Sequence, residues 1–191
     1  MSFRRFFSGL FFRFTKWNLV VEQGIPQNGA ILVGAPHTSN WDFFLMLAIA
    51  GQTGMRYKWL GKNSLFQGPL APILRALGGI SVDRSASTGM VGQLVEQMRN
   101  SSGEVLAITP KGTRSKREYW HSGFYRIAEE SGLPLILCFV DSKTNTTGLG
   151  PIMAVTGDVH ADMEKIRAFY AGKEGIRPEL TSVPRLRSEE A

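Results

Sequence analysis

Residues 29–50 read Gly29-Ala-Ile-Leu-Val-Gly-Ala-Pro-His-Thr-Ser-Asn-Trp-Asp-Phe-Phe-Leu-Met-Leu-Ala-Ile-Ala50. The run from Ala30 to Gly34 is short and apolar at every position, the mark of a strand buried on both faces. The stretch from Asn40 to Ala50 is long enough for a helix, and Thr38-Ser39-Asn40 supplies capping residues at its start. A strand, a polar turn and a helix thus follow one another. The same alternation continues outward. Strands are expected at 57–60, 80–82, 104–109, 133–140 and 152–156, and helices at 69–77, 88–100, 122–130 and 162–171. This order implies an α/β fold: a single layered domain with a largely parallel mixed sheet flanked by helices. In such sheets ligands gather at the carboxyl ends of the strands. The segment from Gly172 onward is polar and punctuated by proline, and is expected to wrap the surface or hang loose.

The chain has 191 residues and 43% hydrophobic content, enough for one domain with a real core. A single cysteine, Cys138, excludes an intramolecular disulfide framework. No apolar run reaches the length of a membrane-spanning helix. The net charge is +6, and it is unevenly placed: residues 1–117 carry 14 Lys/Arg against 5 Asp/Glu, whereas residues 118–191 carry 8 against 11. A basic front half points to an anionic partner. Six of the twelve phenylalanines lie in the first fourteen residues. Phe3, Phe6, Phe7, Leu10, Phe11, Phe14 and Trp17 recur at helical spacing, with Arg4, Arg5, Arg13 and Lys16 among them. That is the pattern of an amphipathic N-terminal helix lying in a membrane interface; a helix docked on the domain's own core has the same periodicity. The expected division is a membrane-associating segment at 1–18, the main domain at 19–175 and a polar tail at 176–191.

Three strand-exit loops hold the side chains suited to chemistry. The first carries His37 and Asp42. Five residues of continuous helix would set them roughly 140° apart, but a loop bending into a first turn can bring them together. An aspartate accepting from one imidazole nitrogen leaves the other free as a base. A capping aspartate beside a structural histidine is the plainer alternative. The second loop carries Asp83-Arg84. The third, Pro110-Lys111-Gly112-Thr113-Arg114-Ser115, offers a glycine for close approach, hydroxyls and a guanidinium suited to phosphate; its alternative is a solvated basic loop. The spacing of a P-loop is absent, and so is any zinc-ligand spacing. His121 and His160 read as surface residues.

Four segments, in order, resemble the motif blocks of the glycerolipid acyltransferase superfamily. His37-Thr-Ser-Asn-Trp-Asp42 resembles the H-x4-D block, and Gly78-Gly-Ile-Ser-Val-Asp83-Arg84 the G-x-I-F-I-D-R block, with Ser81 where an aromatic is usual. Pro110-Lys111-Gly112-Thr113-Arg114-Ser115 resembles P-E-G-T-R-S, with Lys111 in place of glutamate. Leu133-Pro134-Leu135-Ile136 resembles V-P-I-(I/V). The resemblance implies acyl transfer from a thioester, acyl-CoA or acyl carrier protein, to a hydroxyl of a lysophospholipid-type acceptor. It casts His37 as general base and Asp42 as its orienting partner. Arg84, Lys111, Gly112, Thr113 and Arg114 would bind the acceptor's phosphate, and Pro134 would shape the acyl-donor side. No metal or redox cofactor is implied. A peripheral position on the cytoplasmic face of a membrane is expected, and no nucleic acid partner. The alternative function is a non-catalytic basic module binding anionic membrane lipid or nucleic acid.

Overall fold

A computed structural model describes residues 3–82, 89–101 and 103–190. In chain order the elements are α1 (Phe3–Phe14), β1 (Asn18–Val21), β2 (Ala30–Ala35), α2 (Trp41–Thr53), β3 (Tyr57–Lys62), α3 (Ala71–Ala76), β4 (Gly79–Val82), α4 (Met90–Arg99), β5 (Val105–Ile108), α5 (Gly123–Ser131), β6 (Leu135–Asp141), β7 (Thr146–Met153) and α6 (Val159–Tyr170). The strands form one sheet in the order β1-β7-β6-β2-β5-β3-β4. β2, the apolar run Ala30–Ala35, is its centre. It pairs in parallel with β5 and β6, while β7 runs antiparallel to β6 and takes β1 along its outer edge. The fold is the α/β layered domain with a largely parallel mixed sheet that the alternation implies.

Alternation along the central strands sorts the core into two faces. Ile31, Val33, Leu106, Leu135 and Leu137 face α4, α5 and α6, packing with Leu94, Phe124, Ile127 and Ile166. Ala30, Leu32, Ala107, Ile136 and Cys138 face the other way, against Ile49 and Ala50 of α2. The five parallel strands end on one edge of the sheet, and this edge holds His37, the loop after β5 and the end of β3.

Several elements depart from the sequence-based expectation. β1 was not foreseen. β7 covers Thr146–Met153 where 152–156 was expected. The C-terminal segment wraps the surface and is tied down: Ser142 N–H donates to the Glu174 carbonyl at 2.8 Å, and Leu186 is buried beside Trp120, with which it forms an isolated parallel bridge.

The amphipathic α1 docks on α2 through its small residues. Ser8 is buried against Gly51, where any Cβ would sit 2.6 Å from the Ser8 hydroxyl, and Gln52 Nε2 donates to the Arg5 carbonyl at 2.9 Å. Phe12, one turn on, packs toward the core. The remaining aromatic face is left outward: Phe3 and Phe14 are each 76% exposed, and Phe6, Phe7 and Leu10 are exposed as well. Docking on the domain and a free apolar face therefore coexist in one helix. Among the described residues no helix is long and apolar enough to cross a membrane.

Candidate active site

The turn between β2 and α2 folds back on Asp42. One carboxylate oxygen, Oδ2, accepts from the backbone N–H of Thr38 and of Ser39, each at 2.9 Å, and meets His37 Nδ1 at 2.9 Å. Asp42 lies in the first turn of α2, where the positive end of the helix dipole favours a negative group. The expected cap at Asn40 makes no side-chain bond; Ser39 Oγ instead accepts from Trp41 N–H at 3.2 Å. A carboxylate only accepts, so His37 Nδ1 is the donor, which in the neutral ring makes Nε2 the nitrogen with the lone pair. The loop, not helical spacing, brings the two residues together.

His37 and Asp42 open into a cavity of about 860 Å³ along the α2 face of the sheet edge. Its lining includes the polar side chains of His37, Asn40, Lys62, Thr113 and Arg114 and the apolar side chains of Phe43, Met46, Trp59, Leu70 and Leu74. A turn closed by Gly112 N–H to the Thr109 carbonyl, at 2.9 Å, aims Thr113 and Arg114 into it; Gly112 takes φ +68°, which glycine adopts without strain. Cys138 forms part of the floor. It is buried with its thiol pushed up to about 12, chiefly by burial and also by the Asp42 charge, which makes it a poor nucleophile. The arrangement combines a base with a free lone pair, an exposed guanidinium and an apolar slot.

The Acyltransferase family model matches residues 17–140, a span that holds the His37–Asp42 turn, the cavity's apolar wall and the Arg114 loop. The chain belongs to the acyltransferase family. The solved structures include a similar fold in the 1-acyl-sn-glycerophosphate (LPA) acyltransferase PlsC of Thermotoga maritima, with a TM-score of 0.59 and 18% identity, covering 85% of this chain and 73% of that one. No curated protein sequence matches. Membership of an enzyme family favours the catalytic reading over a non-catalytic basic module.

Not every residue expected at the site of this acyltransferase lies in it. Gly112, Thr113 and Arg114 line the cavity. Arg84 lies outside the described residues. Lys111 is not part of the cavity wall. It is 3% exposed, and its ammonium donates to the Leu180 carbonyl at 2.8 Å. Pro134 precedes β6, whose Leu135 pairs with Ile31 at the start of β2. It therefore sits at the amino end of the parallel strands, the far edge of the sheet from His37, where its carbonyl accepts from Ile31 N–H at 2.9 Å. Ser81, where the motif has an aromatic, is exposed and donates to Asn63 Oδ1 at 2.8 Å.

The acyltransferase site also has a backing that its sequence motifs do not contain. Arg177 N–H donates to Thr38 Oγ1 at 3.0 Å, and Ser142 Oγ donates to the Gly175 carbonyl at 2.7 Å. The C-terminal strap thereby runs behind the His37 turn. Its contacts are mostly through main-chain atoms, which carry no residue-type signal.

Proposed function

We propose that this acyltransferase moves a fatty acyl chain from an acyl thioester to the hydroxyl of a lysophospholipid whose head carries a phosphate. The observation that carries this reading is the His37–Asp42 pair opening into one cavity that Arg114 and a set of large apolar side chains also line. His37 Nε2 takes the proton of the acceptor hydroxyl as that oxygen attacks the thioester carbonyl. The C–O bond forms and the C–S bond breaks. The imidazolium returns its proton to the departing thiolate, which leaves as a thiol. Asp42 holds the tautomer and stabilises the charged imidazole without taking its proton. Arg114 binds the phosphate and the apolar wall takes the acyl chain. The Thermotoga protein's action on 1-acyl-sn-glycerophosphate supports this choice of acceptor.

The test is purified protein with a labelled acyl thioester, offered as the coenzyme A or the carrier-protein ester, and a panel of lysolipids. Product from a phosphate-bearing lysolipid is expected; product only from acceptors without phosphate would reject this reading. Arg114→Ala is expected to raise the KM for the phosphate-bearing acceptor about 10- to 100-fold while kcat changes little, since it removes charge-assisted bonds made in ground state and transition state alike. Steady-state kinetics with the acceptor varied checks this.

The exposed phenylalanine face of α1, flanked by Arg4, Arg5 and Arg13, supports peripheral attachment to an anionic bilayer, and a thioester donor fits its cytoplasmic side. The triple variant Phe3→Ser, Phe7→Ser, Phe14→Ser is expected to lower partition onto phosphatidylglycerol vesicles by about tenfold or more. Its turnover of a soluble short-chain acceptor should remain that of the unsubstituted protein. Co-sedimentation reads the first quantity and a solution assay the second.

A further inference from the structure

Lys111 is a buried cation that the chemistry above does not use. Its Nζ donates to the carbonyl of Leu180, at the end of the short turn Pro178–Leu180 in the C-terminal strap. A few residues earlier the strap meets the catalytic turn. Arg177 N–H donates to Thr38 Oγ1, and Gly175 lies so close that a Cβ there would sit 2.4 Å from the same oxygen. Thr181 Oγ1 accepts from Gly175 N–H at 3.1 Å, which holds the strap's bend in shape. Thr38 is 1% exposed, and its own N–H is one of the two that orient Asp42. A line of single hydrogen bonds thus runs from Lys111 through Leu180, Arg177 and Thr38 to Asp42 and His37.

Charge links the same residues. The second oxygen of Asp42, Oδ1, is buried and has no hydrogen-bond partner among the described residues. Lys111 feels that carboxylate: burial pushes its ammonium below the usual lysine range, and the Asp42 charge pulls it back up.

We propose that Lys111 is a positioning residue, anchoring the strap that holds Thr38 and, through Thr38, the turn that orients Asp42. It acts on the acceptor's proton only through the His37–Asp42 pair, so the inference rests on the proposed function. The motif's usual glutamate could not play this part, because it has no hydrogen to give the Leu180 carbonyl when ionised and would repel Asp42. Strap and lysine form one unit.

The test is steady-state kinetics on the full chain with acyl-CoA and lysophosphatidate, for Lys111→Met, Thr38→Val, the double variant, Lys111→Arg and His37→Ala. Met fills the lysine's volume without a donor or charge, and Val keeps the shape of Thr38 without an acceptor for Arg177. Each single change is expected to lower kcat about 10- to 100-fold with the acceptor KM held within about twofold, the scale of misplacing a catalytic group by a fraction of an ångström to an ångström. The double variant should be no more than about threefold slower than the slower single, because both cut one line. Lys111→Arg, which keeps a donor and the charge, should recover part of kcat. A raised KM at unchanged kcat in Lys111→Met would overturn the proposal in favour of direct contact with the acceptor. A double variant that multiplies the two losses would overturn it as well. Should Lys111→Met fail to fold, an unchanged kcat in Thr38→Val overturns it alone. Full activity of His37→Ala would reject the proposed function itself; an inactive His37→Ala beside unimpaired Lys111→Met and Thr38→Val would reject only the role of the lysine.

Discussion

Replacing His37 with alanine is expected to lower kcat for acyl transfer by about 10³-fold and to leave the melting temperature within a few degrees of the parent's. The rate falls because a positioned general base contributes on the order of 10²–10⁴, and the cavity offers no second imidazole among the described residues. The fold survives because the turn does not depend on the ring. Thr38 N–H and Ser39 N–H still bond Asp42 Oδ2, and the strap still holds Thr38. The acceptor KM should be nearly unchanged, since Arg114 and the apolar wall remain. Kinetics with acceptor and donor varied separately, read beside thermal denaturation, separate the two effects.

Asp42 is expected to give the second large effect, and to divide it between chemistry and stability according to the substitution. Asp42→Asn keeps a carbonyl oxygen able to accept from Thr38, Ser39 and His37 Nδ1, so the turn and tautomer persist. What goes is the negative charge beside the imidazole as it takes the acceptor's proton. A fall in kcat of about 10²–10³-fold is expected, with a smaller loss of stability than the alanine substitution gives, the cost of a buried amide NH2 where Oδ1 stood. Asp42→Ala removes all three acceptor bonds at once, two of them to main-chain N–H groups near the start of α2. It should match the rate loss and in addition destabilise the fold by about 2–4 kcal/mol, read from urea denaturation. Equal stability of the two variants would mean that the carboxylate does not organise the turn.

The core of the fold was legible in the sequence because its signals are local. The apolar runs of β2, β5 and β6 are buried on both faces, and they read as strands for that reason. The helices after β2 and β5 are long enough to declare themselves. β1 escaped notice because Asn18-Leu-Val-Val21 is short and mostly exposed, with no buried face to set it apart from the helix before it. β7 carries Gly148, Gly150 and Pro151, which read as a loop; it is a strand because β6 and β1 hydrogen-bond it from both sides.

The site divides in the same way. His37, Asp42 and the Gly112–Arg114 loop follow strands directly, so the rule about strand ends finds them from sequence. Pro134 comes to the site only through its motif, and its place before β6 sets it at the amino end of the parallel strands. Lys111 reads as an anion ligand from its basic loop and its motif block, yet it is buried. Its burial depends on a strap some seventy positions away in the chain, which no local pattern reveals. The strap itself is polar and proline-rich, and its grip on Thr38 is made by a backbone N–H and a glycine. The early phenylalanines were legible as a stripe, but their outward direction follows from Ser8 meeting Gly51, a small-residue contact without a periodic signal.

Product identity tests the central claim most directly. Purified protein is incubated with a labelled acyl-CoA and lysophosphatidate, in parallel with His37→Ala, and the lipids are identified by mass. The expected result is a diacyl phosphate lipid carrying the label from the parent protein, reduced about 10³-fold in the variant. Release of free fatty acid without acylated lipid, or equal product from both proteins, would contradict it.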